Sequence, residues 1–261
     1  MESDRKIVGV ILMIFTELRD GTVRCHVTSW YVEPQFRFYA TLFYSKALKR
    51  QDVTYLNTSA RPHAREIINV QGFQKYSDGE FAAVPLAHFA KARSQVKVFA
   101  GKATPNAHVD PFERDLLLTH AAAGCVTLWC VESGRAYPFV FRRLLFKGFI
   151  PGAQLIYCSA VDDLVRFIWP IARYLALRGI LIVRLDANGP VPGLVGKYFP
   201  DMQPRFYKGI EPRLGDLAYT QVAICGNPAR IGRNWHDFRQ NLFVKQTSTN
   251  IRRNERANAS S

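Results

Sequence analysis

Residues Val23–Phe73 read VRCHVTSWYVEPQFRFYATLFYSKALKRQDVTYLNTSARPHAREIINVQGF. Val23 to Val32 is rich in β-branched and aromatic side chains, the composition of a strand. Pro34 stops it, and Phe36, Tyr39, Ala40, Phe43 and Ala47 then recur at helical spacing, which predicts a helix with one apolar stripe. Lys46, Lys49 and Arg50 fall at the end of that helix, where positive charge suits the dipole. Val53 to Leu56 reads as a second strand, with Asn57-Thr58-Ser59 as its polar exit. Pro62 opens a further helix and Gly72-Phe73 closes it, glycine being suited to a left-handed cap. A strand that leads through a loop into a helix start aims free N–H groups and the positive dipole end at one spot, the makings of an anion site. The β-α-β-α order implies two parallel strands with a ligand at their carboxyl ends.

Val32-Glu33-Pro34, Arg37 at a helix start, Asn57, Ala64 and the terminal Gly72-Phe73 together resemble the core of the GNAT (GCN5-related N-acyltransferase) family over about fifty residues. The resemblance implies that backbone amides of the loop hold the pyrophosphate of acetyl-CoA or another acyl-CoA, with Val32, Arg37, Phe38, Tyr39, Ala40, Thr41, Leu42 and Asn57 as the coenzyme-binding residues. It also implies transfer of the acyl group to an amine acceptor. The sequence departs from the family's pattern at Ala40 and Leu42, which stand where glycines are expected; Ala40 is a mild change, whereas the larger Leu42 obstructs close approach of a phosphate. Ile68 stands where the family often has a tyrosine acid, and Val23–Val32 lacks the carboxylate that often serves as base.

The whole chain has 261 residues, enough for one large domain or two small ones with ample core. About half the residues are apolar, which excludes a disordered chain. Lys and Arg number 35 against 21 Asp and Glu, a formal charge of +14. That charge suits a solvated basic surface, coenzyme phosphates, nucleic acid or anionic lipid, and does not choose among them. The five cysteines, Cys25, Cys125, Cys130, Cys158 and Cys225, form no C-x-x-C pair and sit in apolar, strand-like runs, so buried reduced thiols and a cytoplasmic protein are expected. The apolar run Ile7–Phe15 is too short to span a bilayer and is followed by no small-residue cleavage site. No cluster has metal-ligand spacing, so no metal is expected.

Ile7–Leu18 reads as a strand and Arg19-Asp20-Gly21-Thr22 as a hairpin turn into Val23. After Phe73, Lys75–Glu80 reads as a turn and Phe81–Leu86 as a short strand. Asp110 is a good N-cap for a helix over Phe112–Ala123 that ends at Gly124. Strands are expected at Cys125–Val131, Tyr137–Phe146, Ala153–Ser159, Ile180–Leu185 and Leu217–Cys225. A helix is expected over Asp163–Gly179, with Pro170 in its first turn or kinking it, and a short one over Gly193–Tyr198.

Features of the two halves recur. Arg37-Phe38 returns as Arg166-Phe167, Val53–Leu56 as Ile180–Leu185, and Gln74-Lys75-Tyr76 with Gly79 as Arg205-Phe206-Tyr207 with Gly209, at an offset of about 130 residues. The expected fold is therefore α/β: two tandem GNAT-like units, each a central mixed sheet flanked by helices. The units are placed at residues 1–87 and 110–226, with 88–109 as connector and 227–261 as a basic tail, disordered beyond Gln246.

Glu33, His63 and Tyr76 are the candidates for catalysis. Glu33 is the carboxylate nearest the loop, yet its position also suits a solvated turn. His63 beside Pro62 faces the same cleft or the surface, and Tyr76 supplies a hydroxyl proton or is simply half-buried. Three functions remain in order: an acyl-CoA-dependent N-acyltransferase, a non-catalytic binding scaffold of the same fold, and a basic nucleic-acid-binding protein suggested by runs such as Arg142-Arg143-Leu144-Leu145-Phe146-Lys147.

Overall fold

The computed structural model describes residues 1–217 apart from 4, 59, 61, 92–95 and 104, and omits the side chains of 29, 63 and 89–91. These residues belong to one compact unit, Met1–Val222. The expected tail and most of the strand Leu217–Cys225 lie outside the described residues.

The strand predicted at Val23–Val32 forms at those limits, as β4. Before it come β1 (Glu2–Ser3), β2 (Lys6–Ile7) and β3 (Gly9–Glu17). The turn from β3 to β4 uses Gly21 at φ +78°, and the Asp20 carboxylate accepts from the Thr22 backbone and hydroxyl. A 3-10 helix over Pro34–Tyr39 then runs into α1 (Ala40–Ala47), followed by β5 (Val53–Asn57), α2 (Arg65–Val70), β6 (Gln74–Ala83) and β7 (Lys97–Ala100). The second half holds α3 (Pro111–Ala122), β8 (Val126–Glu132), β9 (Arg135–Phe146), β10 (Ile150–Cys158), α4 (Val161–Arg166), α5 (Ile168–Ala176), β11 (Ile182–Ala187) and β12 (Gly196–Lys208). Asp110 caps α3 as expected, its side chain accepting from the Phe112 N–H. Pro170 lies in the first turn of α5, which a break at Phe167 separates from α4.

Strands β3 to β12 make a single ten-stranded mixed sheet, flanked by helices, in the order β3-β4-β5-β12-β6-β11-β10-β9-β8-β7. Only β4/β5 and β10/β11 pair in parallel; every other neighbouring pair is antiparallel. The eight strands from β3 to β9 in that order form a palindrome about the antiparallel pair β12/β6, and β8 and β7 extend one side only. Outward on either side comes one strand, then its parallel neighbour, then an antiparallel one. Thus β12, from the end of the described chain, sits beside β5, and β6, from the first half, sits beside β11. The recurrent segments Gln74–Tyr76 and Arg205–Tyr207 pair directly, Phe206 with Lys75 and Tyr207 with Gln74.

Three apolar clusters hold the helices on. Cys25, Val27, Val53, Tyr55 and Phe206 receive Tyr44 and Leu48 from α1 and its end, and Ile68 from α2. Phe81, Val183, Leu185, Ala153 and Phe141 receive Leu164, Ile168, Ile171 and Leu175 from α4 and α5. A third places Leu116 and Leu117 of α3 on Trp129, Val140 and Ile156.

Three local expectations need correction. The stripe on α1 is carried by Ala40, Tyr44 and Leu48, with Tyr39 exposed, because Pro34–Tyr39 turns every three residues and shifts the helix's phase. Lys75–Glu80 is strand β6, not a turn. Its glycine is there for close approach: a Cβ on Gly79 would lie 2.3 Å from the Phe199 carbonyl oxygen of β12. The segment read as a short helix near Gly193–Tyr198 enters β12 instead, and a Cβ on Gly196 would lie 2.2 Å from the Ala82 carbonyl oxygen.

A candidate ligand opening between two parallel strands

The pairing of β4 with β5 runs from Val23 opposite Val53 to His26 opposite Leu56 and then stops. β5 ends at Asn57, while β4 continues to Val32. Two residues past His26, β4 carries a bulge. Thr28 and Ser29 together face a single β3 residue, because Val27 pairs with Met13 and Trp30 with Ile11. β3 occupies one edge of Val27–Val32. On the other edge, which faces β5, no described residue forms a backbone hydrogen bond. Among the described residues, β4 therefore continues past the end of β5 with that edge bare, which leaves an opening beside it.

The walls are aromatic and neutral. Trp30 and Tyr44 meet edge to face with centroids 5.7 Å apart. The Asn57 amide nitrogen donates to the Tyr44 hydroxyl at 3.5 Å, and burial pushes the Tyr44 phenol up to about 12, so it stays protonated at neutral pH. His26 is buried, and burial with the neighbouring Arg24 charge holds its imidazole down to about 3.

The residues singled out from the sequence separate into groups. Val32, Ala40 and Asn57 are buried about the opening. Phe38, Tyr39 and Leu42 form an exposed apolar ridge, Phe38 being 74% exposed with its ring 4.1 Å from that of Tyr39. Leu42 points outward, so it does not plug the angle between helix and strand. Arg37 is exposed beside this ridge, and the Thr41 carbonyl accepts from the Gln71 amide at 3.4 Å. The cradle of unbonded amides expected near Tyr39 is partly used up: Phe36 N–H donates to the Glu33 carbonyl at 2.9 Å, and Ala40 N–H donates to that of Arg37. Glu33 is turned toward Lys6, at 3.2 Å, and accepts from the Gln35 amide at 2.9 Å. Tyr76 lies on β6 against Tyr207, buried, its hydroxyl without a hydrogen-bond partner among the described residues; burial raises its pKa strongly. The His63 side chain lies outside the described residues. Among the described residues no group of His, Cys, Asp and Glu could hold a metal ion.

Sequence reasoning missed a buried layer of charge behind the opening. Arg205 of β12 donates through Nε to Asp186 at 3.0 Å, sits 3.5 Å from Glu80, and gives Nη1 to the carbonyl of Thr58 at the exit of β5. Glu80 also pairs with Arg184 at 2.8 Å. Asn188 bridges to β6, accepting from Asp78 N–H at 2.7 Å and donating to the Tyr76 carbonyl at 3.1 Å. The signal was available: Arg24, Arg184 and Asp186 interrupt apolar strand runs, and an ionisable residue in such a run needs a partner.

No protein family's sequence profile matches the chain, and no curated protein is similar to it at a meaningful level. Several solved structures are similar in outline. Eis1 from Mycobacterium abscessus is 12% identical with a TM-score of 0.40, covering 83% of this chain and 63% of that one. A proposed acetyltransferase from Thermoplasma acidophilum is 13% identical with a TM-score of 0.36, covering 80% and 77%. L-PGS from Bacillus licheniformis is 9% identical with a TM-score of 0.34, covering 82% and 90%. At such scores nothing about activity follows. Among the described residues no helix is long and apolar enough to cross a membrane.

Proposed function

We propose that the protein is an acyl-CoA-dependent N-acyltransferase, or a descendant that keeps the coenzyme site, built from two GNAT-like units fused through exchanged last strands. The observation that carries this reading is that β4 runs six residues past its last pairing with its parallel partner, bulges, and among the described residues leaves that edge bare. An extended amide-bearing arm fits such an edge by strand-like hydrogen bonding. Val32, Ala40 and Asn57 line the place for that arm. Arg37 supplies charge for phosphate, and Phe38, Tyr39 and Leu42 supply apolar surface for the remainder of the coenzyme. The acceptor's amine nitrogen attacks the thioester carbonyl carbon, the carbon–sulfur bond breaks, and the thiolate leaves and takes up a proton while the amine loses one. Free N–H groups of the β4 edge polarise the carbonyl. Solvent carries the protons, since Glu33 is engaged by Lys6. Glu33's engagement and the amides already bonded at Phe36 and Ala40 favour the second reading, a scaffold that binds coenzyme without turning it over.

Titration calorimetry with acetyl-CoA and with free coenzyme A tests the first step. Binding weakened about tenfold by Arg37→Ala is expected, the loss of one charge-assisted contact. Absence of binding at millimolar coenzyme removes the proposal. Binding without thiol release in the presence of a broad set of amines leaves the scaffold reading.

A further inference from the structure

The palindrome supplies a second opening of the same kind, and it is full. β10 and β11 pair in parallel from Gly152 opposite Ile182 to Gln154 opposite Arg184 and then part. Two residues past that last pair, at Ile156, β10 bulges against β9. On β4 the bulge likewise begins two residues past its last parallel pair. Beyond the bulge the two sites differ. β9 takes one edge of β10, with Tyr157 opposite Val140 and Cys158 opposite Phe139. The other edge is taken by the chain itself: Asp216 bridges Tyr157 in antiparallel register, Cys158 N–H donates to the Gly215 carbonyl at 3.0 Å, and Leu217 N–H donates to the Ile156 carbonyl at 2.9 Å.

The segment is seated by four further features. Arg213 donates to the Cys158 carbonyl and lies over the Tyr157 ring at 5.3 Å. Leu217 is buried among Leu116, Trp129 and Ile156. Asp216 pairs with Arg24 of β4 at 3.1 Å, which ties the segment to the strand that bounds the first opening. Gly215 adopts φ +77°, and a Cβ there would meet Cys158 Sγ at 2.7 Å, so only glycine fits.

We infer that Arg213–Leu217 is a built-in plug that occupies a second strand-edge groove in the place of an extended amide ligand. The protein therefore presents one such groove per chain, and releasing the plug uncovers the other. The plug stands on its own hydrogen bonds; only the identity of the ligand excluded, an acyl-CoA arm, rests on the reading of the first opening given above.

The test is hydrogen exchange of the full chain, with Gly215→Val as the releasing variant. In the unaltered protein the Cys158 and Leu217 amides are expected to exchange at least ~100-fold slower than an unstructured chain, and Gly215→Val to speed both by ~10-fold or more while Phe81–Ala83 and Val183–Ala187 stay protected. Fast exchange of those two amides in the unaltered protein, or no change in the variant, overturns the plug. Should Gly215→Val lose protection throughout, Asp216→Asn decides: faster exchange at Leu217 with the centre of the sheet intact supports the plug, and unchanged exchange refutes it. Coenzyme titration is the second arm. One coenzyme per unaltered chain and two per released chain are expected; two per unaltered chain overturns the plug. Failure of both proteins to bind coenzyme removes the acyl-CoA reading and leaves the plug to be decided by exchange.

Discussion

Replacing Arg205 by methionine is expected to cost ~3–5 kcal/mol of stability at neutral pH. The side chain is 1% exposed and ties β12 to three neighbours: Asp186 of β11 at 3.0 Å, Glu80 of β6 at 3.5 Å, and the Thr58 carbonyl beyond β5. At an effective dielectric constant of about 20, opposite unit charges at the 3.0 Å separation of Arg205 and Asp186 attract by roughly 5 kcal/mol. Methionine keeps most of the volume, so the loss reports charge rather than a cavity. Asp186 is left buried without its cation and Thr58 without its donor, whereas Glu80 keeps Arg184. The pH dependence follows from Glu80, whose carboxyl burial already raises above its ordinary 4.5. A raised carboxyl holds a proton in the folded state that the unfolded chain has released. Its stabilising contribution is present below the ordinary value and is lost as pH rises through the raised one. Without Arg205 the Glu80 carboxyl loses one of its two cations and moves further in that direction, so the deficit shrinks on acidification. Urea unfolding at about pH 7 and about pH 5 measures it, with Asp186→Asn added to restore part of the loss. A deficit under ~1 kcal/mol at neutral pH, or one equal at both pH values, refutes the account of the charge layer.

Three other outcomes are expected. His26 stays neutral in the folded state down to about 3, against an ordinary 6.5, so stability declines as pH falls through that window by up to ~1.4 kcal/mol per pH unit; His26→Gln flattens the decline relative to the unaltered protein, and parallel curves count against it. Gly79→Ala places a methyl group 2.3 Å from the Phe199 carbonyl and is expected to cost ~1–3 kcal/mol by thermal or urea unfolding, a neutral result meaning that β6 and β12 do not approach as described. Burial pushes the Cys25 and Cys158 thiols up to about 12 and raises Cys130 further, so iodoacetamide at mildly alkaline pH labels the half-buried Cys125 before these three; equal labelling of Cys158 in peptide maps contradicts its burial.

The stretch from Val23 to Phe73 was legible because its rules are local. Strand composition, Pro34 and Gly72 need no distant partner to act, and β4 has the limits that composition predicts. β6 and β12 were not legible for the opposite reason. Glu80, Ser77 and Gly79 look like turn residues, and Pro200 and Pro204 look like breakers, until each is set against the strand beside it. Glu80 is acceptable in a central strand only because Arg184 and Arg205 arrive from sequence positions more than a hundred residues away. β12 tolerates its prolines through an irregular stretch between Pro200 and Arg205, where Asp201 and Gln203 take positive φ. The placement of the residues proposed for coenzyme was legible only in part. Their spacing places Val32, Ala40 and Asn57 around one opening, but spacing does not say that Glu33 will turn to Lys6 or that a 3-10 turn will use the Phe36 and Ala40 amides.

The two centre strands also explain why the charge is buried where it is. Without β12, the first half would expose the β5 edge at Tyr55–Asn57, and without β6 the second would expose the β11 edge at Val183–Ala187. An apolar seam would let those edges pair with any strand, whereas Arg205 opposite Asp186 and Glu80 accepts only a partner that brings the matching charges. Specificity of pairing is thus obtained at the seam by desolvated ions, and cohesion by the apolar clusters on either side. The same seam reaches the openings: Arg205 holds the Thr58 carbonyl at the end of β5, and Arg24 of β4 holds Asp216 in the second groove. The seam therefore ties the end of β5 to its buried ions, and substitutions at Arg205 are expected to alter the first opening.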